Sequence, residues 1–199
     1  MSASTLRAVR PRGAARREAL LEAALRIVAE VGTDAVTHRR VAEVAGLPLA
    51  STTYWFDSKE HLLTAALELA ADRDVARLQA LVAELADEAD PLAVAVAAIL
   101  DPLDESLQAS RRSLVATYAL MLEAARRPAL QAVARRWTDA YLDGLGQLFE
   151  VAGSKHSRAD AQLLLSAADG LLIGQLASGD ATDLRPRLRR LAVTLVASP

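Results

Sequence analysis

The amino-acid sequence predicts an all-α fold of about nine helices, and three observations lead to that prediction. Hydrophobic residues make up 52% of the 199-residue chain, mostly Ala, Leu and Val, whereas only 4% of residues are aromatic. This composition favours helices over sheets. Apolar residues recur at steps of three and four along most of the chain, which is the spacing of one helix face. Gly and Pro residues fall between these segments, where helices are expected to end.

The chain opens with a basic arm, residues 1–12, which we expect to be disordered. Five arginines and no acidic residue occur within the first 17 positions. Such an arm can neutralise phosphate groups and give a salt-dependent affinity for nucleic acid. A disordered, solubilising tail explains the same composition equally well.

The first helix is predicted from about Gly13 to Val31, and Gly32 ends it. An apolar stripe along this helix predicts a face that packs across the next two helices and holds them rigid, since isolated short helices are marginal in water. The stripe consists of Leu20, Leu21, Ala24, Leu25, Ile27 and Val28.

Two short helices joined by a tight turn are predicted next. Thr37 is a good N-cap for a helix over His38 to Ala45, because its hydroxyl can accept from free backbone N–H groups. Gly46 ends that helix in the left-handed conformation that glycine adopts readily. Pro48 suits the start of the second helix, Leu49 to Trp55. Such a pair is typical of a helix-turn-helix.

The second helix of this pair has an unusual composition. It carries Ser51, Thr52, Thr53, Tyr54 and Trp55 and no acidic residue. Threonine has low helix propensity, whereas short hydroxyls can reach base edges and phosphates, and a threonine methyl can contact a thymine methyl. These residues predict a recognition helix. The alternative is a tight three-helix corner with the aromatic residues in its core.

A long helix is predicted from Lys59 to about Leu85. A lysine at a helix N-terminus opposes the macrodipole, which suggests an anionic partner there. The later helices are expected at about Leu92 to Leu100, Ser110 to Arg126, Ala129 to Val151, Ser157 to Ser178 and Asp183 to Val196.

Small residues recur every four positions on the helix that begins near Ser157. They are Ser166, Gly170, Gly174 and Ser178, and apolar residues such as Leu171 flank them. Interior glycines cost helix stability, about 1 kcal/mol each against alanine, unless another helix approaches closely. A homodimer joined by two helices from each subunit would supply that helix. Burial inside a monomer is the alternative.

The second domain holds enough apolar helix to enclose a cavity for a small, mostly apolar ligand. Ordinary core packing accounts better for these residue types when they are considered alone. The candidate lining residues are Gln108, Thr117, Tyr118, Met121, Trp137, Tyr141 and Gln175.

Catalysis finds little support in the sequence. There is no cysteine, and His38, His61 and His156 lack metal-ligand spacing. No Gly-rich phosphate loop or nucleophile motif is present. We therefore expect no enzyme activity, cofactor or metal, and the lack of cysteine suits a reducing cytoplasm. No segment following the basic arm is expected to span a membrane.

The stretch Thr37 to Leu63 resembles the DNA-binding signature of the TetR family of bacterial transcriptional repressors. Phe56 follows Tyr54 at one residue fewer than the loosest form of the family pattern. The resemblance is specific over residues 17–63 and architectural beyond them. The matching positions are Thr37, Arg39, Val41, Ala42, Ala45, Gly46, Tyr54, Phe56, Lys59, Glu60 and Leu62.

The resemblance implies a cytoplasmic, ligand-responsive regulator, expected to be a repressor, that binds a near-palindromic operator in double-stranded DNA as a homodimer. It implies a DNA-binding domain over residues 13–63 and a ligand-binding and dimerisation domain over residues 64–199. A helical dimeric ligand carrier or protein-binding module with a structural helix-turn-helix is the alternative. The residues expected at DNA are Leu49, Ala50, Ser51, Thr52 and Thr53, with Thr37, Arg39, Tyr54, Trp55 and Lys59 at phosphates.

Overall fold

The computed structural model describes residues 11–84, 90–100, 107–180 and 182–198. Within these ranges the chain forms nine α-helices and one short 3-10 helix, η1 (Thr33–Ala35), and no strand, which confirms the all-α prediction. The predicted basic arm lies outside the described residues except at its last two positions. The α-helices are α1 (Pro11–Val31), α2 (His38–Ala45), α3 (Leu49–Trp55), α4 (Lys59–Glu84), α5 (Pro91–Leu100), α6 (Leu107–Ala124), α7 (Pro128–Val151), α8 (Ser157–Ser178) and α9 (Arg185–Val196).

Several helix boundaries follow from local capping chemistry. Ser58 accepts a hydrogen bond from the backbone N–H of His61 at 3.1 Å, which caps the start of α4. Asp90 accepts from the N–H of Leu92 at 3.1 Å and caps α5 in the same way. The predicted start of α9 at Asp183 was two residues early, because the Asp183 carboxylate instead accepts from the N–H of Arg185, at 3.0 Å.

The core consists of two hydrophobic clusters. The first joins α1, α2 and α3 to the N-terminal half of α4, and it also includes Leu120 of α6 and Leu130 of α7. The second joins α5, α7, α8 and α9 with Leu78 of α4. The core of the helix-turn-helix unit therefore continues past residue 63 into the helices that follow it.

Helix packing links the helix-turn-helix to the rest of the chain by two routes. α1 packs on α2 and α4, and it also packs extensively on α6. α4 packs mainly on α7, which in turn packs on α8. Trp137 of α7 contacts both hydrophobic clusters, so it lies where the two halves of the core meet.

Candidate functional site

The turn between α2 and α3 is held by backbone geometry. Thr37 accepts a hydrogen bond from the N–H of Arg40 at 3.2 Å, which starts α2. Gly46 has φ of 64°, in the left-handed region, and the Leu47 N–H donates to the carbonyl of Ala42 at 2.9 Å. This closure of α2 fixes the direction in which α3 leaves the turn.

Thr52 faces the inside of the helix-turn-helix. It is 0% exposed, and its hydroxyl lies 2.7 Å from the Leu49 carbonyl and 3.4 Å from the His38 carbonyl. The second contact links α3 to α2. Because the side chain is buried and its hydroxyl is engaged, the prediction that Thr52 contacts a base edge is wrong for this structure.

The opposite side of α3 is open to solvent. Leu49, Ala50, Thr53 and Tyr54 are exposed, and Tyr54 has 74% of its surface accessible. Ser51 is half-buried. The exposed side chains present a methyl group, a hydroxyl, a phenol and an aliphatic group, which can contact base edges and phosphates.

The two aromatic residues that end α3 have different surroundings. Tyr54 and Trp55 meet edge to face, with ring centroids 5.0 Å apart. Trp55 is half-buried and packs against the first core cluster, whereas Tyr54 is free on its outer side. Trp55 therefore supports the orientation of Tyr54.

Cationic groups flank this surface. Arg39 is exposed and pairs with Glu43 at 3.0 Å. Lys59 donates to the backbone carbonyl of Asp34 at 3.2 Å, which ties the start of α4 to η1. Arg40 is also exposed and forms no ion pair with a described residue. Arg40 is not among the residues predicted to contact DNA, although two consecutive arginines in the first turn of α2 are a signal for a cationic surface.

A partly buried polar network borders the second cluster. The Tyr118 hydroxyl donates to the Asp169 carboxylate at 3.0 Å, and the Tyr141 hydroxyl donates to the Ala98 carbonyl at 2.8 Å. Burial raises the pKa of both tyrosines and of Asp169. Asp169 was missing from our predicted pocket, although an acid within an apolar helix was a signal for it.

Trp137 belongs to a neighbouring polar group. Its indole N–H donates to Asp74 at 3.3 Å, and Arg77 donates to the other oxygen of Asp74 at 2.5 Å. Arg77 also donates to the Ala98 carbonyl at 3.0 Å, the acceptor it shares with Tyr141. Asp74, Arg77 and the Ala98 carbonyl therefore link Trp137 to Tyr141, and Tyr118 bonds Asp169 of α8 nearby.

The other predicted pocket residues have different outcomes. Thr117 and Met121 lie half-buried on α6. The Gln175 side chain is half-buried, and its amide donates to the backbone carbonyl of Thr182 in the turn after α8. The side chain of Gln108 lies outside the described residues.

The small-residue stripe of α8 faces away from the rest of the chain. Ser166, Gly170, Gly174 and Ser178 are all exposed, and a Cβ atom at either glycine would have no neighbour within 4 Å. Leu171 is half-buried and packs on the second cluster instead.

The same side of the chain exposes large apolar residues. Leu163 and Ile173 of α8 and Val193 of α9 are 55%, 50% and 46% exposed. By length and composition alone, α8 is also apolar enough to cross a membrane. Exposed apolar groups of this size indicate a surface that another element covers.

Groups of side chains that could hold a metal ion are absent from the described ranges. No group of three or more His, Cys, Asp or Glu residues there has a geometry that could hold a metal ion. His61 lies 3.9 Å from Asp57 at the surface, and His156 is exposed.

Comparison with known proteins agrees with this geometry. Residues 20–66 match the family described as bacterial regulatory proteins, tetR family, and residues 87–198 match the tetracyclin repressor-like C-terminal domain. The chain belongs to the TetR family. It is therefore a DNA-binding transcriptional regulator of the helix-turn-helix class.

Individual TetR-family relatives cover most of the chain. The HTH-type transcriptional regulator BetI of Rhizobium meliloti (strain 1021) is 30% identical, covering 80% of this chain and 77% of that protein. A transcriptional regulator from Rhodococcus sp. Rha1 is 25% identical with a TM-score of 0.79, covering 90% of this chain and 95% of its own. The multidrug binding protein EbrR, complexed with imidazole, is 32% identical with a TM-score of 0.69, covering 92% and 96%. EbrR structures also contain ethidium or malachite green.

Proposed function

We propose that this TetR-family protein is a ligand-responsive repressor that binds a near-palindromic operator as a homodimer. The observation that carries the proposal is the two-sided character of α3. Thr52 is buried against α2, while Ala50, Thr53 and Tyr54 project to solvent from the same short helix. A helix fixed on one side and exposed on the other suits insertion into a major groove.

Within that groove, Leu49, Ala50 and Thr53 are proposed to contact base edges. Tyr54 and half-buried Ser51 lie beside them, where hydroxyl groups reach the sugar-phosphate backbone. The proposed phosphate contacts are Thr37, Arg39, Arg40, Tyr54, Trp55 and Lys59.

Two of these contacts follow from hydrogen-bond chemistry. Thr37 uses a lone pair of its hydroxyl to cap α2, which leaves its hydroxyl proton free to donate to a phosphate. Arg39 must leave Glu43 to reach a phosphate, and an exposed pair of this kind costs at most about 1 kcal/mol to break. Arg40 has no ion pair with a described residue to break before it contacts a phosphate.

The proposed dimer forms through α8 and α9. A two-fold axis would place the same face of each subunit against itself, with the small residues Gly170 and Gly174 at the closest approach. Leu163, Ile173 and Val193 would surround that contact and lose their exposure to water. The second subunit also supplies the cover that the apolar side of α8 lacks within one chain.

The proposed ligand response uses the polar network between α6, α7 and α8. The neighbour EbrR carries organic ligands, which supports a ligand site in the second domain of this chain. A ligand that separates Tyr118 from Asp169 would displace α6. α6 packs on α1, which holds the helix-turn-helix, so such a displacement would alter the spacing of two recognition helices.

The testing experiment is fluorescence anisotropy of the purified protein on DNA from upstream of its own gene, against a scrambled duplex, at two salt concentrations. We expect a sequence preference that survives the higher salt. Tyr54→Phe removes one hydroxyl from the proposed phosphate contact, so it should weaken binding severalfold without lowering the melting temperature. If selection from a random DNA pool also yields no preferred sequence, the proposal is wrong.

A further inference from the structure

α4 and α7 pack side by side, and a groove of about 290 Å³ opens to solvent between them. Its floor is apolar and includes buried Ala71 and Val133 and half-buried Val75. Trp137 forms one wall. The volume lies at the low end for small-molecule sites, so it suits a compact ligand.

The indole ring of Trp137 is fixed in position before any ligand arrives. Its N–H donates to Asp74 at 3.3 Å, and Arg77 holds that carboxylate from the far side at 2.5 Å. A ring whose orientation is set by such a chain of contacts loses little freedom on binding. The groove therefore contains a preformed aromatic surface.

The charged side chains around the groove leave an excess of negative charge. Glu68 of α4 and Arg136 of α7 lie 3.5 Å apart across it and neutralise one another. Asp72, one turn further along α4, is exposed and forms no ion pair with a described residue. Its neighbour Arg73 is directed to α1, where it bonds Glu18 and Glu22. One uncompensated negative charge thus remains at the rim.

We propose that this groove binds a small organic cation that has an apolar or aromatic body. The cationic centre would lie near the Asp72 carboxylate and the face of Trp137, where both carboxylate and ring quadrupole attract positive charge. The apolar body would cover Ala71 and Val75. An anion would meet the unpaired carboxylate and be repelled, and a neutral ligand would gain only the apolar contact.

This inference goes beyond the proposed ligand response, because the groove between α4 and α7 contains neither Tyr118 nor Asp169 and would hold a ligand of its own. It rests on the proposed function only for the effect of that ligand on DNA. Binding in the groove can therefore be measured on the protein without DNA.

The experiment is isothermal titration calorimetry of the full-length chain with benzyltrimethylammonium, benzyl alcohol and benzenesulfonate. We expect the cation to bind roughly threefold to tenfold more tightly than the neutral alcohol, with the sulfonate weakest. Added salt should reduce the difference, because the groove is open to solvent. Equal binding of all three probes, or a preference for the sulfonate, would overturn the proposal.

Three variants locate the site. Asp72→Asn should lower the affinity for the cation roughly threefold to tenfold and leave the affinity for the neutral probe unchanged. Ala76→Leu, at an exposed position that lines the groove, should weaken both probes by filling the space. Glu150→Gln, which removes an exposed carboxylate at the end of α7, is the matched control and should change neither. Full cation binding in both groove variants would contradict the assigned location.

A separate measurement tests the link to regulation. The cation is added to the complex of the protein with its selected DNA, and release is followed by anisotropy. Cation binding that depends on Asp72 supports the groove site whether or not DNA is released. Absence of any preferred DNA sequence counts against the proposed repressor function alone, so the two failures are distinguishable.

Discussion

The Tyr118 hydroxyl of α6 and the Asp169 carboxylate of α8 form a 3.0 Å hydrogen bond at the edge of the second core cluster. The two residues are 51 positions apart in the chain, and their contact joins the helix that packs on α1 to the helix of the proposed dimer surface. Burial is the main cause that raises the pKa of Asp169, and the bond from Tyr118 opposes that shift only in part.

A raised carboxyl pKa has a defined effect on stability. The folded state holds the proton of Asp169 more tightly than the unfolded chain does, so protonation of this group adds to the free energy of unfolding. That contribution is complete below the pKa of the unfolded chain, near 4, and is lost as the pH rises through the pKa of the folded state. At neutral pH the ionised group therefore reduces the free energy of unfolding. A partly buried carboxylate that lowers stability is a candidate for function.

We predict that Asp169→Asn raises the melting temperature at pH 7 by about 1–4 °C, because asparagine keeps an acceptor for Tyr118 and removes the buried charge. The gain over wild type should shrink as the pH falls toward 4. Thermal melts across that pH range check both points, with Glu150→Gln as an exposed control. A less stable variant whose pH profile matches that of wild type would contradict the prediction.

Thr52 and Thr53 are adjacent in sequence but should respond in opposite ways to substitution. Thr52→Val keeps the side-chain volume and loses the hydrogen bonds to Leu49 and His38, so the free energy of unfolding should fall by about 1 kcal/mol. Thr53→Ala affects an exposed residue on a helix, so stability should hold while DNA affinity falls roughly fivefold. Urea unfolding and anisotropy together separate the two effects. Equal behaviour of both variants in the two assays would argue against the assigned orientation of α3.

Sequence-based prediction succeeded where the chemistry is local. The cap at Thr37 and the left-handed Gly46 were predicted from the sequence, and like the Ser58 cap found at the start of α4 they depend on residues within three or four positions. These features set the bounds of α2 and α3 and the start of α4 as predicted. The resemblance to the TetR family was carried by the same local signals.

Prediction failed where the outcome depends on packing. Consecutive hydroxyl residues on a seven-residue helix do not show which of them faces inward, so the burial of Thr52 could not be read from the sequence. The contact between Tyr118 and Asp169 needs three-dimensional proximity that no spacing rule supplies.

The exposed side of α8 yields a prediction about assembly. Ile173→Glu places a charge on the proposed two-fold surface. Because burying an unpaired charge is costly, the dissociation constant of the dimer should rise by at least roughly tenfold. Leu122→Glu, on an exposed apolar residue of α6, is the control. Sedimentation velocity over a concentration series measures both. A wild-type chain that is monomeric at micromolar concentration would remove the basis for the proposed interface.

Arg73 connects the long helix α4 to α1, and its loss should weaken the attachment of the helix-turn-helix. The guanidinium bonds Glu18 at 2.5 Å and Glu22 at 2.7 Å, and both acids lie on α1. Arg73→Gln should lower the free energy of unfolding by about 1 kcal/mol in low salt and by less in high salt, because exposed ion pairs are screened.

The matched control for Arg73 is Arg135→Gln. Arg135 is exposed on α7 and bonds only the neutral Gln131 among the described residues, at 3.1 Å. Both variants remove one positive charge, so any general effect of net charge on DNA affinity is the same for each. A larger loss of DNA affinity in Arg73→Gln then reports the orientation of α1 relative to α4. If the two variants lose DNA affinity and stability equally, the ion pairs of Arg73 have no positioning role.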